Sequence, residues 1–288
     1  MSVSRNLKPV AVTAALLSAA ALFPGGGAAA AEPLASGAEY VAMGSSFAAG
    51  PGVTTSADTP PNRCGRSKDN YAHQFARRRG LALTDVSCGG ATTANVLSRW
   101  DELPPQIDAV DRGARFVTIT IGGNDLNYVG GIFALSCKEG APSADAAAWC
   151  SAVPPPTEQA FADVETNLRR IAAEIHRRAP AALLIFVEYP TILPPHGRCP
   201  AAPLSQADAN AAREVGRRLA EITARVAEQG DAQLIQTGKL TEGHDACAAA
   251  PWMTGFPQRG APVVGAPFHP NLAGMTAIAD ALDQLVPP

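Results

Sequence analysis

The sequence is poor in charged and aromatic residues, and neither sign of charge is in large excess. Of its 288 residues, 17% are charged and 6% are aromatic, and the formal net charge is −3. A chain with this balance has no electrostatic reason to bind nucleic acid or an anionic membrane surface. We therefore expect neither as a partner.

The N-terminal region lacks an apolar run long enough to cross a bilayer. The stretch from Pro9 to Phe23 is apolar, but it is shorter than the roughly 20 residues that a transmembrane helix needs. It follows a short segment with Arg5 and Lys8 and precedes a tract of small residues that ends at Ala31. This order predicts a signal peptide over residues 1–31 and secretion without a stable membrane span. An uncleaved anchor is the alternative.

The cysteine and histidine spacings that hold zinc are also missing, since neither Cys-x-x-Cys nor a closely spaced histidine pair occurs. We expect no metal and no cofactor. The six cysteines are an even number behind a predicted signal peptide, which indicates three disulfides. The count alone leaves their pairing open.

Apolar runs of strand length alternate with amphipathic helical patterns along the rest of the chain. These runs are Tyr40–Met43, Leu81–Val86, Phe116–Ile121, Leu183–Val187 and Leu234–Ile235 with its neighbours. Several of them are rich in Val, Ile and Phe and show little alternation, as strands buried on both faces do. This alternation predicts one α/β domain over residues 32–288, a three-layer α/β/α fold with a parallel, flavodoxin-like doubly wound sheet.

Three irregular stretches, at 51–66, 126–156 and 241–267, interrupt the alternation. Loops of this length inside a compact domain are usually functional or disordered. Apolar residues in or near them are candidates for lining a ligand site: Phe47, Trp149, Trp252, Met253, Phe256 and Phe268.

Four short motifs carry the chemistry, and each follows a predicted strand or precedes the last helix. They are Gly44-Ser45-Ser46-Phe47, Cys88-Gly89-Gly90-Ala91, Gly122-Gly123-Asn124-Asp125 and Phe268-His269-Pro270-Asn271. In an open α/β sheet, ligands bind at the carboxyl ends of the strands, so these motifs are expected to converge there. Together they supply a nucleophile, a base and hydrogen-bond donors, which acyl transfer requires.

Ser46 is the predicted nucleophile, with Ser45 as its neighbour and rival. His269 is the predicted base, because an unperturbed histidine titrates near neutrality. The amides of Ser46 and Gly90 and the side chain of Asn124 are the predicted oxyanion hole.

The Gly-x-Ser-x-Gly elbow of α/β-hydrolases is absent, because Ala48 replaces its last glycine. The four motifs, in this order, instead resemble the SGNH hydrolases, also called the GDSL lipase/esterase family, from about Tyr40 to the C-terminus. The usual Gly-Asp-Ser-Leu is Gly-Ser-Ser-Phe here. The resemblance favours Gly90 over Gly89, since the family glycine precedes Ala-Thr. Similarity to secreted actinobacterial-type members implies the disulfides Cys64–Cys88, Cys137–Cys150 and Cys199–Cys247.

One position departs from the family pattern. Most members place an aspartate three residues before the histidine, and here that residue is Ala266. Some secreted members orient the histidine through a main-chain carbonyl instead. The resemblance therefore implies a Ser46–His269 dyad, with the main-chain oxygen of Ala266 holding the imidazole.

The expected function is a secreted carboxylic-ester hydrolase that acts on ester or lipid substrates, a lipase, esterase or phospholipase A. A carbohydrate acetyl esterase on the same fold is the first alternative. A non-catalytic secreted binding module is the second, and the intact site residues argue against it. We expect a monomer.

Overall fold

The computed structural model of the protein describes residues 1–3, 35–139, 150–151, 153–258, 260 and 264–286. The expected cleavage site near Ala31 and most of the predicted signal peptide lie outside the described residues, as does Trp149. Contacts between residues divide the chain into Met1–Ala30 and Ala31–Pro288, and the fold below belongs to the second unit.

A five-stranded parallel sheet forms the centre of this unit. Its strands are β1 (Glu39–Gly44), β2 (Ala82–Asp85), β3 (Ala114–Thr120), β4 (Leu183–Val187) and β5 (Gln233–Ile235). Their order across the sheet is β2-β1-β3-β4-β5, and every neighbouring pair is parallel. This is the flavodoxin-like order, so the predicted fold class is confirmed.

The inner strands of the sheet are buried on both faces, as predicted, whereas β2 is not. Strands β1 and β3 are buried almost throughout, because helices cover both sides of the sheet there. Strand β2 alternates between exposed and half-buried residues. It lies at the edge of the sheet with β1 as its partner, so less of its surface is covered.

Eight α-helices connect and cover the strands: α1 (Ser46–Ala49), α2 (Tyr71–Arg79), α3 (Thr93–Leu97), α4 (Tyr128–Ser136), α5 (Glu158–Arg178), α6 (Gln206–Gln229), α7 (Thr237–Leu240) and α8 (Leu272–Leu285). This count covers the described ranges only. Helices α2 and α8 pack on one face of the sheet with Tyr40 and Phe116. Helices α3 to α6 pack on the other face with Val117 and Leu184. The three layers are those predicted.

The apolar periodicity predicts the buried face of α5 correctly, and two features differ elsewhere. Helix α4 forms within the stretch 126–156, which the sequence indicated as irregular. In α8, Leu272 lies in the first turn and is 47% exposed, although its spacing placed it on the buried face with Met275 and Ile278. The start of α8 reaches beyond the core, so the same helical face is exposed there.

The three disulfides are confirmed with the pairing that the family resemblance implied. Cys64 bonds Cys88, Cys137 bonds Cys150, and Cys199 bonds Cys247. The first disulfide ties the irregular segment after α1 to the chain that leaves β2, two residues before Gly90. Across the described ranges, no helix has the length and apolar character to span a bilayer.

Candidate active site

The four motifs meet at the carboxyl edge of the sheet, as predicted. Ser46 follows β1, Gly90 lies in the turn after β2, and Asn124 lies in the turn after β3. His269 lies just before α8 and hydrogen-bonds Ser46 across 223 residues of sequence. The parallel strands therefore bring residues from most of the chain to one place.

Ser46 and His269 form a direct hydrogen bond. The distance from His269 Nε2 to Ser46 Oγ is 2.7 Å, and both residues are half-buried. This is the distance that proton transfer between a nucleophile and its base requires. The rival Ser45 is fully buried, and its hydroxyl is bonded to Tyr189 at 2.8 Å. Of the two serines, Ser46 is therefore the one placed to react.

The carbonyl that holds the imidazole is that of Pro267, and the prediction of Ala266 is wrong. His269 Nδ1 lies 2.7 Å from the Pro267 oxygen. The Ala266 oxygen instead accepts hydrogen bonds from the Thr254 hydroxyl and from the His269 amide. Phe268 has a left-handed backbone with φ of +59°, and this reversal turns the His269 ring back over the carbonyl two residues before it.

The surroundings of His269 favour its neutral form. Burial lowers its pKa from 6.5 to about 4, and the hydrogen bond to the Pro267 carbonyl opposes part of that shift. A carbonyl accepts the Nδ1 proton, so Nε2 carries the lone pair that faces Ser46. The imidazole is thus set as a base at neutral pH.

The predicted oxyanion donors lie in the turns that follow β1, β2 and β3. Among the described residues, no acceptor bonds the backbone N–H of Ser46 or of Gly90. Asn124 Nδ2 donates one hydrogen bond to the Ala91 oxygen at 2.8 Å, which leaves its second amide hydrogen for a ligand. Gly90 has φ of +83°, and a Cβ there would lie 3.3 Å from Trp100, so a glycine suits this turn.

Asp125 holds the second and third motifs together and does not contact the reacting pair. Its carboxylate accepts hydrogen bonds from the Thr93 amide and hydroxyl at the start of α3. Burial raises the pKa of the Asp125 carboxyl, and these hydrogen bonds oppose that rise. The turn that carries Asn124 is thereby fixed against the turn that carries Gly90.

Several of the apolar candidates lie near the reacting pair. The Phe47 ring is 4.6 Å from the His269 ring, centre to centre. Phe268 is fully buried, and its ring is 6.4 Å from Phe256, which in turn is 5.3 Å from Phe133 on α4. An aromatic row therefore runs from the histidine loop to the helix that follows Asn124.

The other candidates have different neighbours. Trp252 stacks on His244 at 3.7 Å, and Met253 is buried. His176 is bonded to the Gly230 carbonyl, and His73 faces Asp85 at 3.5 Å. Among the histidines, all of which lie in the described ranges, only His269 bonds Ser46.

Sequence reasoning missed two residues that shape the site, Tyr189 and Thr254. Tyr189 lies two residues after β4, so its position at the carboxyl edge of the sheet was a usable signal. Thr254 bonds the backbone of the histidine loop from fifteen residues away in sequence, and no local pattern indicates such a contact.

Comparisons with known proteins agree with this geometry. The model of the GDSL-like lipase/acylhydrolase family matches residues 42–277. The chain is 32% identical to Lipase 2 of Streptomyces coelicolor (strain ATCC BAA-471 / A3(2) / M145), an alignment that covers 84% of this chain and 83% of the relative.

Two solved structures share the fold. The extracellular lipase of Streptomyces rimosus superposes with a TM-score of 0.69 and 25% identity, over 85% of this chain and 98% of that one. Phospholipase A1 from Streptomyces albidoflavus NA297 superposes with a TM-score of 0.70 and 21% identity, over 86% of this chain and 99% of that one.

Proposed function

The chain belongs to the GDSL-like lipase/acylhydrolase family and is a carboxylic ester hydrolase, and we propose that it works through an acyl-enzyme on Ser46. The observation that carries this proposal is the 2.7 Å hydrogen bond between Ser46 Oγ and His269 Nε2, together with a Ser46 backbone N–H that no described residue accepts. These groups supply a nucleophile, a base and an oxyanion hole in one place.

In the first half-reaction, Ser46 Oγ attacks the ester carbonyl carbon while His269 Nε2 takes the serine proton. The carbonyl oxygen becomes an oxyanion, which accepts hydrogen bonds from the amides of Ser46 and Gly90 and from Asn124 Nδ2. The tetrahedral intermediate collapses, the bond to the alcohol oxygen breaks, and His269 returns the proton to that oxygen.

In the second half-reaction, water attacks the acyl-serine and gives a proton to His269. As this intermediate collapses, the bond between Ser46 Oγ and the acyl carbon breaks and His269 returns the proton to Oγ, which releases the carboxylic acid and restores the Ser46 hydroxyl. The Pro267 carbonyl holds Nδ1–H throughout and so keeps the imidazole in one orientation. Among the described residues, no acidic side chain is hydrogen-bonded to His269.

Substitution of either member tests the dyad. We expect Ser46→Ala and His269→Ala to abolish ester hydrolysis and to leave the fold intact, as measured by circular dichroism. His176→Ala is the matched control, because that histidine lies in α5 and bonds the Gly230 carbonyl. Turnover by Ser46→Ala at the wild-type rate, with an inactive Ser45→Ala, would show that Ser45 is the nucleophile.

We propose fatty-acyl esters as the substrate class. The name of the relative Lipase 2 supports this, and so do two exposed apolar residues that lie near His269 in sequence. Val264 and Leu272, on either side of His269 in sequence, are 74% and 47% exposed. Exposed apolar residues close in sequence to the base favour a lipid substrate over a sugar.

A chain-length series of p-nitrophenyl esters, from acetate to palmitate, tests the substrate class. We expect kcat/KM to rise from acetate toward medium or long chains. Leu272→Ser should lower the rate on the longer esters and leave the rate on acetate unchanged. Activity confined to acetate, together with deacetylation of acetylated xylan, would favour the carbohydrate esterase.

We also propose secretion as a monomer, with cleavage close to Ala31. The predicted signal peptide, the three disulfides and the similarity to an extracellular lipase support secretion. N-terminal sequencing of protein from culture medium and size-exclusion chromatography test the proposal. A mature N-terminus at Ser2 would contradict the cleavage, and a dimer would contradict the monomer.

A further inference from the structure

Tyr189 connects two of the four motifs through one phenol oxygen. The Ser45 hydroxyl lies 2.8 Å from it, and the Gly123 backbone N–H donates to it at 3.0 Å. Ser45 precedes the nucleophile, and Gly123 precedes Asn124. The phenol therefore bridges the turn after β1 and the turn after β3. In each turn it contacts the residue directly before a proposed oxyanion donor.

The glycine of the third motif fits the tyrosine closely. A Cβ on Gly123 would lie 2.6 to 2.7 Å from the phenol end of Tyr189, closer than real Cβ contacts come. The Tyr189 ring also packs against Phe47 at 4.5 Å and Tyr128 at 6.1 Å, so its position is fixed on several sides. A side chain so enclosed holds the distance between the two turns.

That distance matters for catalysis. Oxyanion donors act only when they lie at hydrogen-bond distance from the developing charge, and a shift of about 1 Å can cost about 10²-fold in rate. Ser46 follows β1 and Asn124 follows β3, so the two donors lie in turns that are far apart in the sequence. A direct link between the turns fixes their relative placement.

We propose that Tyr189 is the positioning residue of the oxyanion hole, holding the Ser45-Ser46 turn and the Gly123-Asn124 turn at the separation that the transition state requires. The proposal rests on the proposed role of Ser46 and Asn124. Burial raises the pKa of Tyr189 to about 12, so the phenol stays protonated and serves as a hydrogen-bonding bridge. Tyr189 is buried, so it acts on the site through the two turns that it joins.

Tyr189→Phe removes the phenol oxygen and keeps the ring. We expect kcat on p-nitrophenyl butyrate to fall about 10- to 100-fold, with KM within about twofold of the wild-type value, because the loss affects the transition state. Tyr40→Phe is the matched control: it removes a buried hydroxyl that is bonded to Thr118 at 2.7 Å, within the sheet. Tyr40→Phe should lower the melting temperature about as much as Tyr189→Phe does and leave kcat unchanged.

Ser45→Ala breaks the same bridge from its other end and serves if Tyr189→Phe does not fold. The double variant should be no slower than the slower single variant, because both substitutions remove one interaction. Tyr189→Phe with kcat within twofold of wild type, or an equal loss in Tyr40→Phe, would overturn the proposal. An additive double variant would overturn it as well.

The same variants distinguish a failure of the proposed nucleophile from a failure of the positioning role. If Ser46→Ala remains active, the proposed nucleophile is wrong, whatever Tyr189→Phe does. If Ser46→Ala is inactive and Tyr189→Phe is fully active, only the positioning role is wrong.

Discussion

Burial of His269 should move the acid limb of the pH–rate profile well below that of an ordinary histidine. Its pKa is lowered from 6.5 to about 4, with burial as the main cause. The base must be neutral to accept the Ser46 proton, so activity is lost as pH falls through the pKa of the free enzyme. The kcat/KM profile reports that pKa.

The effect is large at mildly acid pH. At pH 5.5, an imidazole with a pKa of about 4 is about 97% neutral, whereas one with a pKa of 6.5 is about 10% neutral. The enzyme should therefore keep nearly full kcat/KM at pH 5.5, about tenfold more than an unperturbed histidine would allow.

The assay is hydrolysis of p-nitrophenyl butyrate between about pH 3.5 and 9, with p-nitrophenol measured in samples quenched into alkaline buffer and the fold checked by circular dichroism at each pH. Phe47→Ala tests the cause, because it opens the space beside the His269 ring. It should move the acid limb upward, toward 6.5. Glu188→Gln is the control, since burial raises the pKa of that carboxyl to about 7.

An acid limb near 6.5 in the folded wild-type enzyme would refute the reasoning. So would a limb that Glu188→Gln moves and Phe47→Ala does not, because the titrating group would then be the carboxylate.

Three further predictions follow from the site and the core. Asn124→Ala should lower kcat by about 10²–10³ with the fold retained, the usual loss for one oxyanion donor; unchanged kcat would exclude that role. Glu242→Gln and Asp245→Asn should each change kcat less than about tenfold, and a loss near 10⁴ would reveal an acid that orients His269. Glu188→Gln should raise the melting temperature at pH 8 and not at pH 4. The raised pKa of this buried acid favours the folded state below about 4.5, and that contribution is lost as pH rises through about 7. An equal gain at both values would contradict it.

The sheet could be predicted well from the sequence, because the residue patterns that indicate strands and helices extend over only a few neighbouring residues. Strand β4 was predicted with the bounds Leu183–Val187 that the structure shows, and the buried face of α5 follows from its three- and four-residue spacing. The motifs after β1, β2 and β3 were placed at one edge by a general rule of parallel sheets. The disulfide pairing came from the family resemblance, since the spacing of cysteines leaves it open.

The tertiary structure decided which atoms meet at that edge. The carbonyl that holds His269 is that of Pro267, because Thr254 and the His269 amide occupy the Ala266 oxygen and Phe268 reverses the chain. Leu272 is exposed because α8 begins beyond the core.

Tyr189 joins Ser45 to Gly123 although 144 and 66 residues separate it from them. The sequence by itself determined the strands, most of the longer helices and the residue types at the site, because periodicity and turn chemistry act over a few residues. Only the folded chain determined the hydrogen-bond partners, because each partner comes from a distant segment whose approach depends on the packing of the whole domain.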